Sequence, residues 1–345
     1  MLVARIQVTA GPHQGARTYA DVQLDADDTA SYHPIADPFA SDAAGTISTT
    51  SSIPAEHATL LAPCHPRVIV GMAHNTGQAD QALPPQAFHK SPHSVIAPGE
   101  AIELEASRHH RIDAEAELAV VIGTPARNLT RDNALTAVFG YTCANDVTDR
   151  TAQAADSLST TAKSRDTYTP LGPWIRTDLD PSDVAVQLGD DTGLGPQAST
   201  AGLARGVADV LVYLSVVMTL HPGDVVLCGA AGPSRRLRPG GVSRVIVPAI
   251  GTLTNPVVTL GSATSPHRYQ PRVTRDLLTT ASPERGPQAV GTGRGPVESS
   301  ARTDQPCRPS TPPRYAPSAE RRWRGTLAVT YSCSRPNQAA HPLRT

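Results

Sequence analysis

Short apolar runs bounded by turn residues constrain this chain more than any other feature. PRVIVGM (66–72), AELAVVIG (116–123), YTCAN (141–145), DVVLCG (224–229) and SRVIVPAIGTL (243–253) are of strand length and most are rich in Val and Ile. Helical spacing is clear in one place. Leu203, Val207, Val210, Leu211, Leu214, Val217 and Met218 fall on one face, and Pro222-Gly223 stops the pattern. Thr130 is a candidate N-cap for a shorter helix through RDNALTAVF, where Ala134, Leu135, Val138 and Phe139 keep that spacing and Gly140 can close it. Strands interleaved with few helices, without regular βαβ alternation, predict a β-rich α+β domain.

The pattern also divides the chain. Residues 1–24 alternate apolar and polar positions and predict two strands of a small N-terminal unit; from Asp25 to about Ala58 the sequence turns to Asp, Ser, Thr, Ala and Pro, as a loop or linker would. The expected organisation is a small domain with its linker over 1–58, a main body over 59–260, and a tail over 261–345. The tail holds 12 of the 32 prolines and 13 arginines against 5 acidic residues, so the net charge of −1 conceals an acidic body and a basic tail. Periodicity stops after Val258, and a segment of this composition cannot bury enough apolar surface to offset its ordering entropy, so a disordered tail is expected. Arginines can hold phosphate nonspecifically, but few aromatics and no recognised motif argue against nucleic acid as a partner.

Five scattered cysteines without C-x-x-C spacing exclude a disulfide framework or a structural zinc site and fit a reducing compartment. MLVARIQVTAG is too short in apolar residues for a signal peptide, and nowhere do 18 apolar residues run together, so a soluble cytoplasmic protein without membrane contact is expected. Of 30 basic residues only Lys90 and Lys163 are lysines. An ammonium is a compact point charge that a planar guanidinium does not replace at a tight site, which marks these two positions.

RIDAEAELAVVIG (111–123) places Asp113, Glu115 and Glu117 two residues apart. In a strand they share one face, where like charges repel. Two readings are open: a solvated face on which the repulsion is screened, or a hard divalent cation that makes the clustering favourable, with Glu115 and Glu117 as oxygen ligands. Asp146, at the end of YTCAND, supplies a third carboxylate of the kind an octahedral Mg²⁺ or Mn²⁺ site uses.

The order of VIVGM, AFHKSPHSVI, DAEAELAVVIG, GYTCANDVTDR, AKSRDTYTPLGPW, LHPGDVVLCG and AIGTLTNPV resembles the fumarylacetoacetate hydrolase family from about Pro66 to Val258, and MLVARI with DPFA and TLLAPC resembles the small leading domain of bacterial members. The resemblance implies a mixed β-roll, usually a homodimer, with Mg²⁺ or Mn²⁺ held at Glu115, Glu117 and Asp146. It implies that Lys163 lies beside the metal and contacts substrate, that Arg150 and Gln153 line the site, and that Lys90 matches a family lysine that contacts substrate or salt-bridges within the core. It further implies action on a small oxo-acid through an enolate. Hydrolysis of an acylpyruvate-type C–C bond is the leading reaction; isomerisation or decarboxylation of a 2-oxo or 2-hydroxy-diene acid, or a silent binding protein, are the alternatives.

The chain departs from that pattern where hydrolytic members activate water. Their N-Y-x-x-H-x-x-E follows the first strand of the body; here the segment reads MAHNTGQADQ, with Gly77 at the His position and Asp80 at the Glu position. His74 is out of register and is a candidate displaced base, with Asp80 beside it. Thr151 replaces an acidic residue, and CGAAG stands where a G-T-P loop is usual.

Overall fold

The computed structural model describes residues 1–26, 29–40, 51–105 and 110–261, all within one compact unit, Met1–Arg272. The expected disordered tail from residue 262 onward lies outside the described residues. The architecture is the β-rich fold that the short apolar runs predict.

The strand Ala116–Ile122 is buried at every position. Leu118, Val120 and Ile122 point into one apolar cluster with Val226, Leu211 and Leu214, while Ala119 and Val121 point into another with Ile69, Val225 and Leu171. A strand covered on both faces needs a continuous apolar run rather than alternation, which is what AELAVVI supplies. Burying each Val or Leu side chain is worth about 1.5–3 kcal/mol, so this strand anchors the sheet. It pairs antiparallel with Val138–Asn145 on one side and Val225–Leu227 on the other. The sheet continues through Ile69–Ala73 to Gln86–Lys90 in one direction, and through Thr169–Arg176 to Leu2–Val8, Arg17–Leu24, Ala30–Ile35 and Ile53–Pro54 in the other. A second sheet runs Gly193–Ser199, Ala185–Asp190, Val242–Val247, Gly251–Thr259 and Ile102–Leu104. A third joins Thr148–Asp149, Ile112–Ala114 and Arg235–Arg236.

Two expectations about local structure are corrected. Ala30–Ile35, within the stretch read as a loop, is a strand registered on Arg17–Leu24 from Leu24 opposite Ala30 to Tyr19 opposite Ile35. Only Tyr32 is fully buried in it, so its sequence carries little apolar signal. RDNALTAVF is not a helix. A 3₁₀ turn spans Ala134–Ala137, Val138 and Phe139 open the strand Val138–Asn145, and Thr130 donates its N–H to Asn133 Oδ1 at 2.8 Å instead of capping. Gly140 lies inside that strand because a Cβ there would meet the Arg176 carbonyl oxygen at 2.5 Å. The long helix forms as Val207–Val217, with Val210, Leu211 and Leu214 buried and Val217 exposed in its last turn.

Candidate active site

The E-x-E segment is not one continuous strand. It breaks at Glu115: Ile112–Ala114 belongs to the small sheet, with Asp113 opposite Thr148, and Ala116–Ile122 to the large one, with Ala116 opposite Asn145. At the break Glu115 donates its N–H to Asn145 Oδ1 (3.2 Å), and its carbonyl accepts from the Asp146 N–H (2.9 Å). That crossing sets Glu115 beside Asp146, with Glu117 two residues further along.

The carboxylate face is not solvated. Asp113 is 1% and Glu117 3% exposed, which overturns the first of the two readings of this segment. Asp113 takes two bonds from Arg111, both 3.0 Å, and one from Arg150 Nε at 3.2 Å. Glu115 Oε1 lies 2.7 Å from an Arg150 Nη, and its Oε2 accepts from Thr148 Oγ1 (2.9 Å) and Lys163 Nζ (3.1 Å). Asp146 accepts from Lys90 Nζ through Oδ1 (2.6 Å) and from Lys163 through Oδ2. Glu117 Oε2 accepts the Gly229 N–H at 2.6 Å. Beneath Lys163, the Phe88 ring centroid is 4.6 Å from Nζ, close enough for a cation–π contact.

Both lysines of the chain therefore stand among these carboxylates, buried. Burial opposes the charge on Lys163, but Asp146 and Glu115 outweigh it and raise its pKa, so it is a cation at neutral pH. Burial dominates at Lys90 and lowers its pKa despite Asp146. Asp146 lies below its usual value because Lys163 and Lys90 together overcome the cost of burial. Glu117 moves the other way: burial, then the neighbouring Asp146 and Glu115, push it well above the usual carboxylate range, and Lys163 offsets this only in part.

Arg150 opens the helix Arg150–Ala155 and also donates to Gln153 Oε1 at 3.0 Å, so both sequence candidates sit at the edge of the cluster. His74 and Asp80 lie elsewhere in their loop. His74 is exposed with a left-handed backbone (φ 53°), and Asp80 accepts from the Thr76 N–H and hydroxyl, each at 2.9 Å. What sequence reading missed is Asn75 between them. It is wholly buried and donates to the Cys228 carbonyl at 2.7 Å, next to the Gly229 that reaches Glu117. A cleft of about 620 Å³ bounded by Ser91, His93, Glu100, Glu103 and Asp166 is separate from the carboxylates.

Among the described residues, no three His, Cys, Asp or Glu side chains stand at metal-ligand spacing, since Lys163 bridges Glu115 and Asp146. The donor set nonetheless fits a hard divalent cation. All three carboxylates offer oxygen, and Glu117 takes the Gly229 N–H while the two lysines bond Glu115 and Asp146.

A buried oxygen-donor cluster set where a large mixed sheet meets a small one, with two lysines inside it, is the design of a β-rich protein whose charged centre lies within its sheets. The family model described as fumarylacetoacetate (FAA) hydrolase C-terminal matches residues 64–258, and the chain belongs to that family. Its members include hydrolases and isomerases. The solved structure of 5-carboxymethyl-2-hydroxymuconate delta-isomerase from Mycobacterium smegmatis is 34% identical, with a TM-score of 0.66 over 75% of this chain and 100% of that one. Maleylpyruvate hydrolase of Aquipseudomonas alcaligenes is 35% identical over 170 residues, 48% of this chain and 58% of the relative. Oxaloacetate tautomerase YisK of Bacillus subtilis is 30% identical over 190 residues, 52% of this chain and 63% of the relative. No helix among the described residues is long and apolar enough to cross a membrane.

Proposed function

We propose that the protein is a Mg²⁺- or Mn²⁺-dependent enzyme that forms and protonates the enolate of a small anionic 2-oxo acid. The observation that carries this reading is the set Glu115, Glu117, Asp146 and Lys163, in which Lys163, a cation at neutral pH, bonds Glu115 and Asp146 with Glu117 on the Gly229 N–H beside them. Glu115, Glu117 and Asp146 would hold the metal. Bound there, Mg²⁺ or Mn²⁺ supplies Lewis-acid polarisation of the substrate's oxygens.

The rest of the chemistry belongs to the chain. Loss of a C3 proton to solvent puts negative charge on the 2-oxo oxygen, and a cation preorganised in a site of low dielectric stabilises that charge far more than it would in water. Lys163 Nζ keeps its proton and serves as this cation rather than as a base, because its pKa is raised. Lys90 fixes Asp146, and Arg150 at the rim would meet the substrate carboxylate by giving up part of its hold on Asp113, Glu115 and Gln153.

C–C hydrolysis of an acylpyruvate-type substrate is the second reading, favoured by the likeness to maleylpyruvate hydrolase. It needs in addition a base that activates water, with His74 and Asp80 as the candidates on the neighbouring loop. The small N-terminal domain, homodimeric assembly and cytoplasmic location belong to the same reading as expectations from the family resemblance and composition. The test is turnover of oxaloacetate and an acylpyruvate with Mn²⁺, then with chelator, in the parent and in Glu117→Gln. Metal-dependent turnover lost in Glu117→Gln supports the reading; turnover indifferent to both overturns it.

A further inference from the structure

The segment from His74 to Leu83 follows the strand Ile69–Ala73 and packs few apolar groups: Gln78, Asp80 and the rest of the 3₁₀ turn Gln78–Ala82 contain no buried residue. A segment of this kind has little hydrophobic reason to hold one conformation. Its carbonyls converge instead on one side chain far away in sequence. The Arg205 guanidinium donates to the carbonyls of His74 (3.2 Å), Asp80 (3.4 Å) and Leu83. Its backbone completes the clasp, with the Arg205 N–H donating to Asn75 Oδ1 (2.8 Å) and its carbonyl accepting from Asn75 Nδ2 (3.0 Å). Gln78 Nε2 adds a bond to the Leu203 carbonyl at 3.1 Å.

Asn75 carries the clasp inward. The same Nδ2 donates to the Cys228 carbonyl at 2.7 Å, and the next residue, Gly229, approaches so closely that a Cβ on it would lie 2.2 Å from the Asn75 carbonyl oxygen. Gly229 also holds φ +105°, which L side chains rarely adopt. In that conformation its N–H donates to Glu117 Oε2. An unbroken series of contacts thus runs from the partly exposed Arg205 through Asn75 and Gly229 to the buried Glu117.

We propose that Arg205 is a positioning residue that staples the 74–83 segment in place and, through Asn75, fixes the Gly229 N–H that orients Glu117. A planar guanidinium with five donors in a fixed fork is suited to three carbonyls at once; a lysine at this position has the charge but not the fork. The staple holds the segment without any ligand, so loop order and substrate binding are separable. The proposal rests on the oxo-acid reading only for its catalytic consequence.

The test compares the full chain with Arg205→Lys, Arg205→Ala and Asn75→Ala by hydrogen–deuterium exchange, without and with Mn²⁺. The prediction is that backbone amides in 76–83 exchange roughly a hundredfold or more faster in Arg205→Ala, and that Arg205→Lys does not restore protection, as expected for loss of two or three bonds from a charged donor. Amides of Ala116–Ile122 should be unchanged. With an oxo-acid substrate, KM should rise more than kcat falls in Arg205→Ala, whereas Asn75→Ala should also lower kcat strongly by releasing Gly229. Unchanged exchange in 76–83 overturns the staple whatever the activity shows. If exchange rises as expected and neither protein turns over any oxo acid, the staple stands and the functional reading fails. Full rescue by Arg205→Lys would overturn the geometric argument and leave charge alone as the cause.

Discussion

Lys90 Nζ lies 2.6 Å from Asp146 Oδ1, and neither side chain exposes more than 1% of its surface. A buried pair of this kind is held in place by its own geometry. Removing Lys90 strips Asp146 of one of its two lysines, at a cost of up to about 3–5 kcal/mol. Lys90→Met should therefore lower unfolding free energy in urea by that amount with little change in m, while Lys90→Met combined with Asp146→Asn should recover part of it. A single-mutant loss within about 1 kcal/mol would show that Lys163 alone satisfies Asp146.

The three carboxylates proposed to hold the metal and Asp113 should separate cleanly in calorimetry. Glu115→Ala, Glu117→Gln and Asp146→Asn should each abolish Mn²⁺ binding, and Asp113→Asn should leave it within a few-fold, because Asp113 is already engaged by Arg111 and Arg150. Asp146→Asn also leaves Lys90 and Lys163 without their common partner, so it should melt lower than Glu117→Gln and must be measured well below its transition. Mn²⁺ bound by the triple variant as tightly as by the parent places the site elsewhere.

Much of the fold was legible because short runs rich in Val and Ile, AELAVVI among them, read as strands, and Pro222-Gly223 had to follow the end of the long helix. The small N-terminal strand Ala30–Ile35 was not legible, since its Ser31, His33 and Pro34 pair through backbone and bury little. RDNALTAVF misled because helical spacing over one turn is indistinguishable from a 3₁₀ turn running into a strand; the tertiary demand at Gly140 decided it. The acidic and lysine pattern marked Glu115, Glu117, Asp146, Lys90 and Lys163, which the fold brings together, but the break at Glu115 was not readable. Nor was Asn75, whose role depends on Cys228, Gly229 and Arg205, all more than a hundred residues away in sequence.

The three cysteines of the described body should be chemically silent. Burial pushes the thiols of Cys64 and Cys143 up to about 12 and raises that of Cys228 as well. The thiolate is the reactive form, so raising pH from 7 to 9 leaves all three protonated in the folded protein and should not accelerate their labelling. Peptide mapping after iodoacetamide should find these three modified only once urea has unfolded the chain. Labelling at Cys228 in the folded state would show that the Cys228–Gly229 loop opens, and with it the support of Glu117.

Enolate formation and hydrolysis should part company in this protein. The first needs the carboxylate set and the Lys163 cation, which are assembled, with solvent taking the C3 proton; the second also needs a side-chain base on water, a contribution of typically 10²–10⁴-fold, and of its candidates Asp80 is engaged by Thr76 while His74 is exposed in the loop. With Mn²⁺ in deuterated buffer, the C3 protons of a 2-oxo acid should exchange for deuterium faster than any C–C cleavage of an acylpyruvate. Lys163→Met should suppress exchange by about 10²-fold or more, the scale found when one donor to a developing oxyanion is lost, while His74→Ala should leave exchange within about twofold. Circular dichroism at the assay temperature guards against unfolding, since Lys163 also bridges Glu115 and Asp146. Rapid cleavage abolished by His74→Ala would make His74 the base after all. Rapid cleavage that survives His74→Ala and is lost in Asp80→Ala would assign the water to Asp80 and require the 74–83 segment to rearrange before reaction.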